Sequence, residues 1–373
     1  MRGEAAPAAR LALAACLAAA VAGCSHLLVD GPDVAETGVA DFDAAWAAVD
    51  SLYPPVLGLK GVDWDSVRAA LRPRAEAARG AEVFQVVCDL VAAAADPHAY
   101  VQSEGGAVVY PYASRRVHRD RKSFSPYLVR RYVDAPLRLA GEGFVEYGFI
   151  EGRLGYLRLP TFDPLRMLRD FTSVMAALRP TDGLIIDVRD NNGGRRVNAT
   201  GVVSWFIGVP LPYLSAIDRN GIDRNVEPPV EPPAGGLAYG RPVVVLINGA
   251  TLSAGDIFAE FMRQIPGVTL LGDTTAGAAC QDSDALPGDI VLPSGRRIHL
   301  PTRCALRFDG LLLDWFGVPP DVRVTQTAAD IVAGRDLQLE SAIRLLRGEG
   351  SRRSRGMDWR SAGRGAAKHD SLS

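Results

Sequence analysis

Two segments of this chain carry residues that could do acyl-transfer chemistry. Residues 242–256 read Pro-Val-Val-Val-Leu-Ile-Asn-Gly-Ala-Thr-Leu-Ser-Ala-Gly-Asp. An apolar run fit for a buried strand ends at Asn248-Gly249, and Ser253 then opens a helical pattern through Asp256, Ile257, Ala259 and Phe261. A hydroxyl at a helix N-terminus stands beside unpaired N–H groups and the positive end of the helix dipole. Acyl transfer needs such a place, because its tetrahedral intermediate carries an oxyanion. A serine that merely caps the helix has the same address, so this segment alone leaves both roles open.

The second segment is Gly183-Leu184-Ile185-Ile186-Asp187-Val188-Arg189, another buried-strand pattern, running into Asp190-Asn191-Asn192-Gly193-Gly194. A glycine pair after a strand lets backbone N–H groups approach a ligand where side chains would block it. Two strand-turn-helix units could thus supply two oxyanion donors: the N–H of Gly194, with Gly193 in reserve, and that of Ala254 beside the nucleophile.

With these motifs in view, the chain resembles the carboxyl-terminal processing and tricorn core family of serine peptidases. The resemblance is carried by Asp187-Val-Arg-Asp-Asn-Asn-Gly-Gly, Asn248-Gly-Ala-Thr-Leu-Ser-Ala-Gly-Asp, Gly272-Asp-Thr-Thr-Ala-Gly and Gly317-Val-Pro-Pro-Asp-Val, in that order, and by the closing Gly334-Arg-Asp-Leu-Gln-Leu-Glu. It runs from about Asp41 to Leu346. One design in this family places a lysine just after the Gly-x-x-Thr-x-Gly motif; here Ala278 stands there, and no lysine occurs between Lys122 and Lys368. The other design, that of tricorn core proteases and chlamydial protease-like activity factors, uses histidine and an acid. The resemblance then implies His98, in Asp96-Pro97-His98, as the base. It implies Asp314 as the acid, where the family usually has Glu. Histidine accepts and returns a proton near neutrality, and a carboxylate on its far nitrogen fixes the tautomer. The other histidines fit less well: His26 and His369 lie near the termini, His118 in an Arg-rich stretch, and His299 in a strand-like alternation.

These residues need a scaffold. The expected fold class is α/β, a ClpP/crotonase-like core of stacked βαβ units behind an N-terminal helical subdomain. Spacings such as Phe42, Trp46, Val49 and Val83, Val87, Leu90 predict helices between 41 and 100. Residues 101–150 read as a mixed strand and loop segment, short for the peptide-binding PDZ domain many relatives carry and without its carboxylate-binding loop. The catalytic core is expected over 151–346, with Glu227 to Pro233 as a surface loop and 347–373 as a polar, disordered tail.

The N-terminus suggests a compartment. Arg2 and Arg10 precede an apolar run from Leu11 to Val21, too short to span a bilayer, and Val21-Ala-Gly-Cys24 resembles a bacterial lipobox. The expectation is a signal peptide over 1–23, lipidation at Cys24, a linker over 24–40, and a location in the bacterial cell envelope. The formal charge of −2 and pI near 6.2 disfavour nucleic acid as a partner. No Cys/His cluster has metal-ligand spacing, so no metal or cofactor is expected. Cys280 and Cys304 flank a hairpin-like region and could pair, while Cys88 reads as a buried thiol. The sequence thus points to a lipid-anchored serine endopeptidase acting on flexible or unfolded polypeptide. The alternative is a catalytically inactive peptidase scaffold that binds a peptide or hydrophobic ligand. An esterase of the α/β-hydrolase kind is disfavoured, because Thr251 stands where the Gly-x-Ser-x-Gly elbow has its first glycine.

Overall fold

A computed structural model describes residues 34–224, 227–282 and 288–349. The span expected to be a signal peptide, Cys24 and the residues from 350 onward lie outside the described residues. Three helices come first: α1 (Val34–Leu52), α2 (Trp64–Ala77) and α3 (Ala81–Ala93). Helix α1 starts at Val34, inside the span expected to be a linker; no proline interrupts the chain between Pro32 and Pro54. Asp63 caps α2 by accepting the N–H of Ser66. Phe42, Val49, Trp64, Val83, Val87 and Leu90 bury their side chains together, as their spacing predicts. The same cluster takes in Val101, Ile298, Leu300 and Cys304 from antiparallel strands downstream, so the helices share a core with those strands.

The main sheet has seven strands among the described residues: β1 (Arg138–Ala140), β2 (Val145–Ile150), β3 (Leu154–Arg158), β4 (Gly183–Asp187), β5 (Val243–Ile247), β6 (Val268–Gly272) and β7 (Val322–Arg323). Their spatial order follows the chain, β1 to β7; β1 to β3 are antiparallel and β3 to β7 parallel. Every residue of β4 and β5 is buried, as a central parallel strand covered on both faces requires. Leu184, Ile186, Val243, Val245 and Ile247 share a core with residues of α5 (Phe171–Leu178), α6 (Arg196–Val203) and α7 (Ala254–Arg263). The alternating Ile185, Val244 and Leu246 meet α8 (Leu337–Leu346) in the core on the other face.

This sheet moves one expected boundary. Strands β1 and β2 belong to it, so the core begins near Arg138 rather than at 151. The β2–β3 connection is a tight hairpin of three residues, Ile150 pairing with Leu154, with Glu151 at φ 54° and Gly152 at φ 67°. The 101–150 segment also holds a helix, α4 (Arg115–Arg121), which is not simply solvated. Arg116 donates to the carbonyls of Trp315 (3.0 Å) and Phe316 (3.2 Å), and Asp120 accepts the N–H of Gly249 (2.5 Å). Arg189, from the first resembling motif, is fully buried between Asp187 (2.6 Å) and Asp336 (2.8 Å). It ties the end of β4 to the cap of α8, so this part of the motif is structural.

Candidate active site

Ser253 immediately precedes α7, where β5 gives way to the turn after Asn248. Its backbone is strained, with φ 58° and ψ −119°, a conformation a non-glycine residue holds only when its surroundings impose it. Asp256 is part of what imposes it. Its buried carboxylate accepts the N–H groups of Ser253 (2.9 Å), Gly277 (3.0 Å) and Ala278 (3.0 Å). Burial raises the pKa of Asp256, against these hydrogen bonds, which favour the charged form.

His98 reaches Ser253 from the helical subdomain. After α3, Ala95 adopts φ 52° and turns the chain through Asp96-Pro97. The N–H of His98 then donates to Asp96 Oδ1 (2.8 Å), and Nε2 stands 3.2 Å from Ser253 Oγ. The two residues are brought together across a cleft of about 620 Å³ that Gly194, Tyr100 and His299 also line. His299 does sit on a strand, and its ring stacks on Tyr100 at 4.7 Å. His118 is exposed on α4.

Of the glycine pair, Gly193 meets the serine closely, while Gly194 packs against Phe162 and Asp163. A Cβ on Gly193 would lie 2.5 Å from Ser253 Cβ, and Gly193 itself has φ 83°. Its N–H is committed to Asn191 Oδ1 (2.8 Å). The N–H groups of Gly194 and Ala254, by contrast, have no hydrogen-bond partner among the described residues.

The acid differs from expectation. Asp314 does not contact His98. Its buried carboxylate accepts the N–H of Ala279 (3.1 Å) and pairs with Lys60 Nζ at 2.5 Å, both side chains being wholly inaccessible. The carboxylate nearest His98 Nδ1 is Asp96 Oδ1, at 3.7 Å, longer than a direct hydrogen bond. Asp314 sits in a kinked turn over Leu313–Phe316, with Trp315 at φ 72°, where its short side chain is engaged by Lys60 and the Ala279 N–H. Burial and then the nearby charge of Asp96 push Asp314 up to about 6. Burial acts on Asp96 in the same sense, but hydrogen bonding to His98 and the nearby charge of Lys60 hold it below the ordinary range. For His98, burial favours the neutral ring, and Asp96 outweighs it, so the pKa rises above its usual value.

Lys60 was not legible as a site residue. It ends a 3₁₀ turn (Gly58–Lys60) closed by Gly61 at φ 74°. Its ammonium donates to Tyr53 Oη (2.8 Å) and to the carbonyls of Ala95 (3.3 Å) and Ala94 (3.4 Å), besides pairing with Asp314. Tyr53 in turn donates to Asp96 Oδ2 (2.7 Å). The available signal was compositional: this is one of only three lysines in a chain otherwise supplied with arginine. Asp96, Asp314 and Cys280 bring donor atoms within 4.8 Å of one another. Cys280 Sγ is bonded to Cys304, however, and the cation in this group is the ammonium of Lys60. That disulfide joins paired positions of two antiparallel strands, and Cys88 is a buried free thiol.

A strained serine before a helix, a histidine at its oxygen and a mostly parallel sheet behind them define an α/β serine-peptidase core. Residues 153–324 match the model of peptidase family S41. The chain is 28% identical over 207 residues to a carboxy-terminal-processing protease of Bartonella bacilliformis, covering 52% of this chain and 44% of that protein. It is also 30% identical over 203 residues to tricorn protease homolog 1 of Streptomyces coelicolor, covering 52% of this chain and 17% of that one. The chain therefore spans less than half the length of these curated relatives. A crystal structure of a protein proposed as a peptidase from Parabacteroides merdae superposes with a TM-score of 0.72 at 26% identity, over 83% of this chain and 96% of that one. Mature CPAF bound to lactacystin shares the fold, with a TM-score of 0.62 at 14% identity over 85% and 98% of the two chains. Residues 153–324 thus form a region of the peptidase family S41 kind, similar to the corresponding regions of carboxyl-terminal processing and tricorn proteases.

Proposed function

We propose that the protein is a serine endopeptidase that cleaves flexible or unfolded polypeptide. The observation that carries this reading is the 3.2 Å approach of His98 Nε2 to the hydroxyl of the strained Ser253 in an open cleft. Ser253 Oγ attacks the scissile carbonyl carbon while its proton passes to Nε2. The carbonyl oxygen becomes an oxyanion beside the free N–H groups of Gly194 and Ala254. Protonated His98 then gives its proton to the leaving amine, the C–N bond breaks, and an acyl-enzyme remains. A water molecule, losing its proton to His98, releases the acid product and restores Ser253. Asp96 takes the orienting role first expected of Asp314, since it holds the backbone of His98 and lies nearer its ring.

The proposed setting is the bacterial envelope, with the chain tethered through a lipid on Cys24. It rests on the lipobox-like Val21-Ala-Gly-Cys24, and the Cys280–Cys304 disulfide is in keeping with an oxidising compartment. No helix among the described residues is long and apolar enough to cross a membrane. Loss of membrane association in Cys24→Ala would support the tether.

Labelling with a fluorophosphonate tests the chemistry, because only an activated serine reacts. The native protein should label at Ser253, and Ser253→Ala should neither label nor digest an unfolded protein while keeping its circular dichroism. A folded native protein that does not label would favour the inactive binding scaffold.

A further inference from the structure

Taking the peptidase reading as given, we propose that Lys60 is a positioning residue: it cancels the charge of Asp314, so that Asp96 is the one effective carboxylate beside His98. The geometry places the ammonium between the two acids. It pairs with Asp314 at 2.5 Å, and through Tyr53 Oη it reaches Asp96 on the oxygen that His98 does not use. The order is Lys60, Tyr53, Asp96, His98, Ser253, each step a contact within 3.2 Å. Lys60 does not contact Ser253, so it is not a proton acceptor for the nucleophile.

Charge counting gives the consequence. Asp96, Asp256, Asp282 and Asp314 all act on His98 or feel it, from the loop after α3, the first turn of α7, the segment after Cys280 and the Leu313–Phe316 turn. Tyr53, Tyr112 and Arg116 border the same group. Asp256 is held by three backbone N–H groups at the serine turn. Lys60 is the cation directly bonded into the Asp96–Asp314 group. Without it, two buried carboxylates would crowd one imidazole. Without Asp314, the ammonium would stand uncompensated and oppose protonation of His98.

The pH dependence of fluorophosphonate labelling at Ser253 reads this balance, because only neutral His98 can act as the base. In Asp314→Asn the acidic limb should move to lower pH by about one unit, the direction set by an unmatched positive charge. In the double variant Lys60→Met/Asp314→Asn the limb should return to within a few tenths of a unit of the native position. A lysine that only fills space predicts no return, and a double variant left at the Asp314→Asn position would overturn the proposal. Should Asp314→Asn fail to fold, the double variant, which removes both buried charges, is compared directly with the native protein. Coinciding limbs support cancellation, and a separation of about one unit in either direction refutes it. Native protein that does not label overturns the peptidase reading and this inference together. Native labelling with a failed return overturns this inference alone.

Discussion

Nδ1 of His98 lies 3.7 Å from Oδ1 of Asp96, only two positions earlier in the chain, and that same oxygen accepts the backbone N–H of His98 at 2.8 Å. That carboxylate thus fixes the main chain of the base and lies nearest its ring, beyond direct hydrogen-bond distance. Tyr53 binds its other oxygen, which prevents the group from rotating away.

Replacing Asp96 by Asn should therefore cost more than replacing Asp314. The expected loss for Asp96→Asn is on the order of ten-thousandfold in kcat, the scale at which an orienting acid acts in a serine triad. Asp314→Asn should lose at least tenfold less. Steady-state kinetics on an unfolded protein substrate decides between them, and equal losses would return Asp314 to the orienting role.

The pH profile follows from the direction of the His98 shift. Asp96 raises its pKa above the ordinary value near 6.5, and the general base works only when neutral. Activity should therefore rise with pH through a midpoint above about 6.5. In Asp96→Asn the residual activity should show its acidic limb at lower pH, because the charge favouring imidazolium is gone. Labelling rates between pH 5 and 9 would reveal this, and a native midpoint below 6 would contradict it.

Gly193 is constrained by both conformation and space. It holds φ 83°, and a Cβ there would meet Ser253 Cβ at 2.5 Å and the Leu252 carbonyl oxygen at 2.9 Å. Gly193→Ala must displace the serine turn, so labelling should fall by at least about a hundredfold and stability by roughly 1–3 kcal/mol. A thermal melt alongside the labelling assay separates the two effects. Normal labelling would mean that the turn tolerates the methyl group.

The position of Ser253 before a helix was legible from local grammar, and the family resemblance pointed to His98. An apolar strand, a polar turn and a helical period mark the one, and the family match after a helix end marks the other. The hairpin between β2 and β3 was missed because Glu151-Gly152 is not the Asn-Gly pair that signals a short hairpin. Lys60, Tyr53 and the exchange of Asp314 for Asp96 were beyond reach for another reason. The contacts of Lys60 and Tyr53 with the two acids join residues at least 43 positions apart, and no periodicity encodes such meetings. The motif around Asp187 proved double in purpose: Gly193 packs against the serine, while Arg189 holds Asp336 at the cap of α8.

The Cys280–Cys304 bond bears on the site through the backbone beside it. Ala279, one residue before Cys280, donates its N–H to Asp314, and Cys280 itself lines the cleft. The bond closes a segment with a sequence separation of 24. Constraining a loop of that size in the unfolded chain contributes about 3 kcal/mol. The Cys280→Ser/Cys304→Ser variant should unfold at correspondingly lower denaturant, and its labelling at Ser253 should fall as the Ala279 strand end loosens from Asp314. Reduction of the native protein should reproduce both effects and leave the double variant unchanged. If the reduced protein labels at the native rate while melting lower, the disulfide supports stability alone and the strand holding Asp314 is fixed by its other contacts.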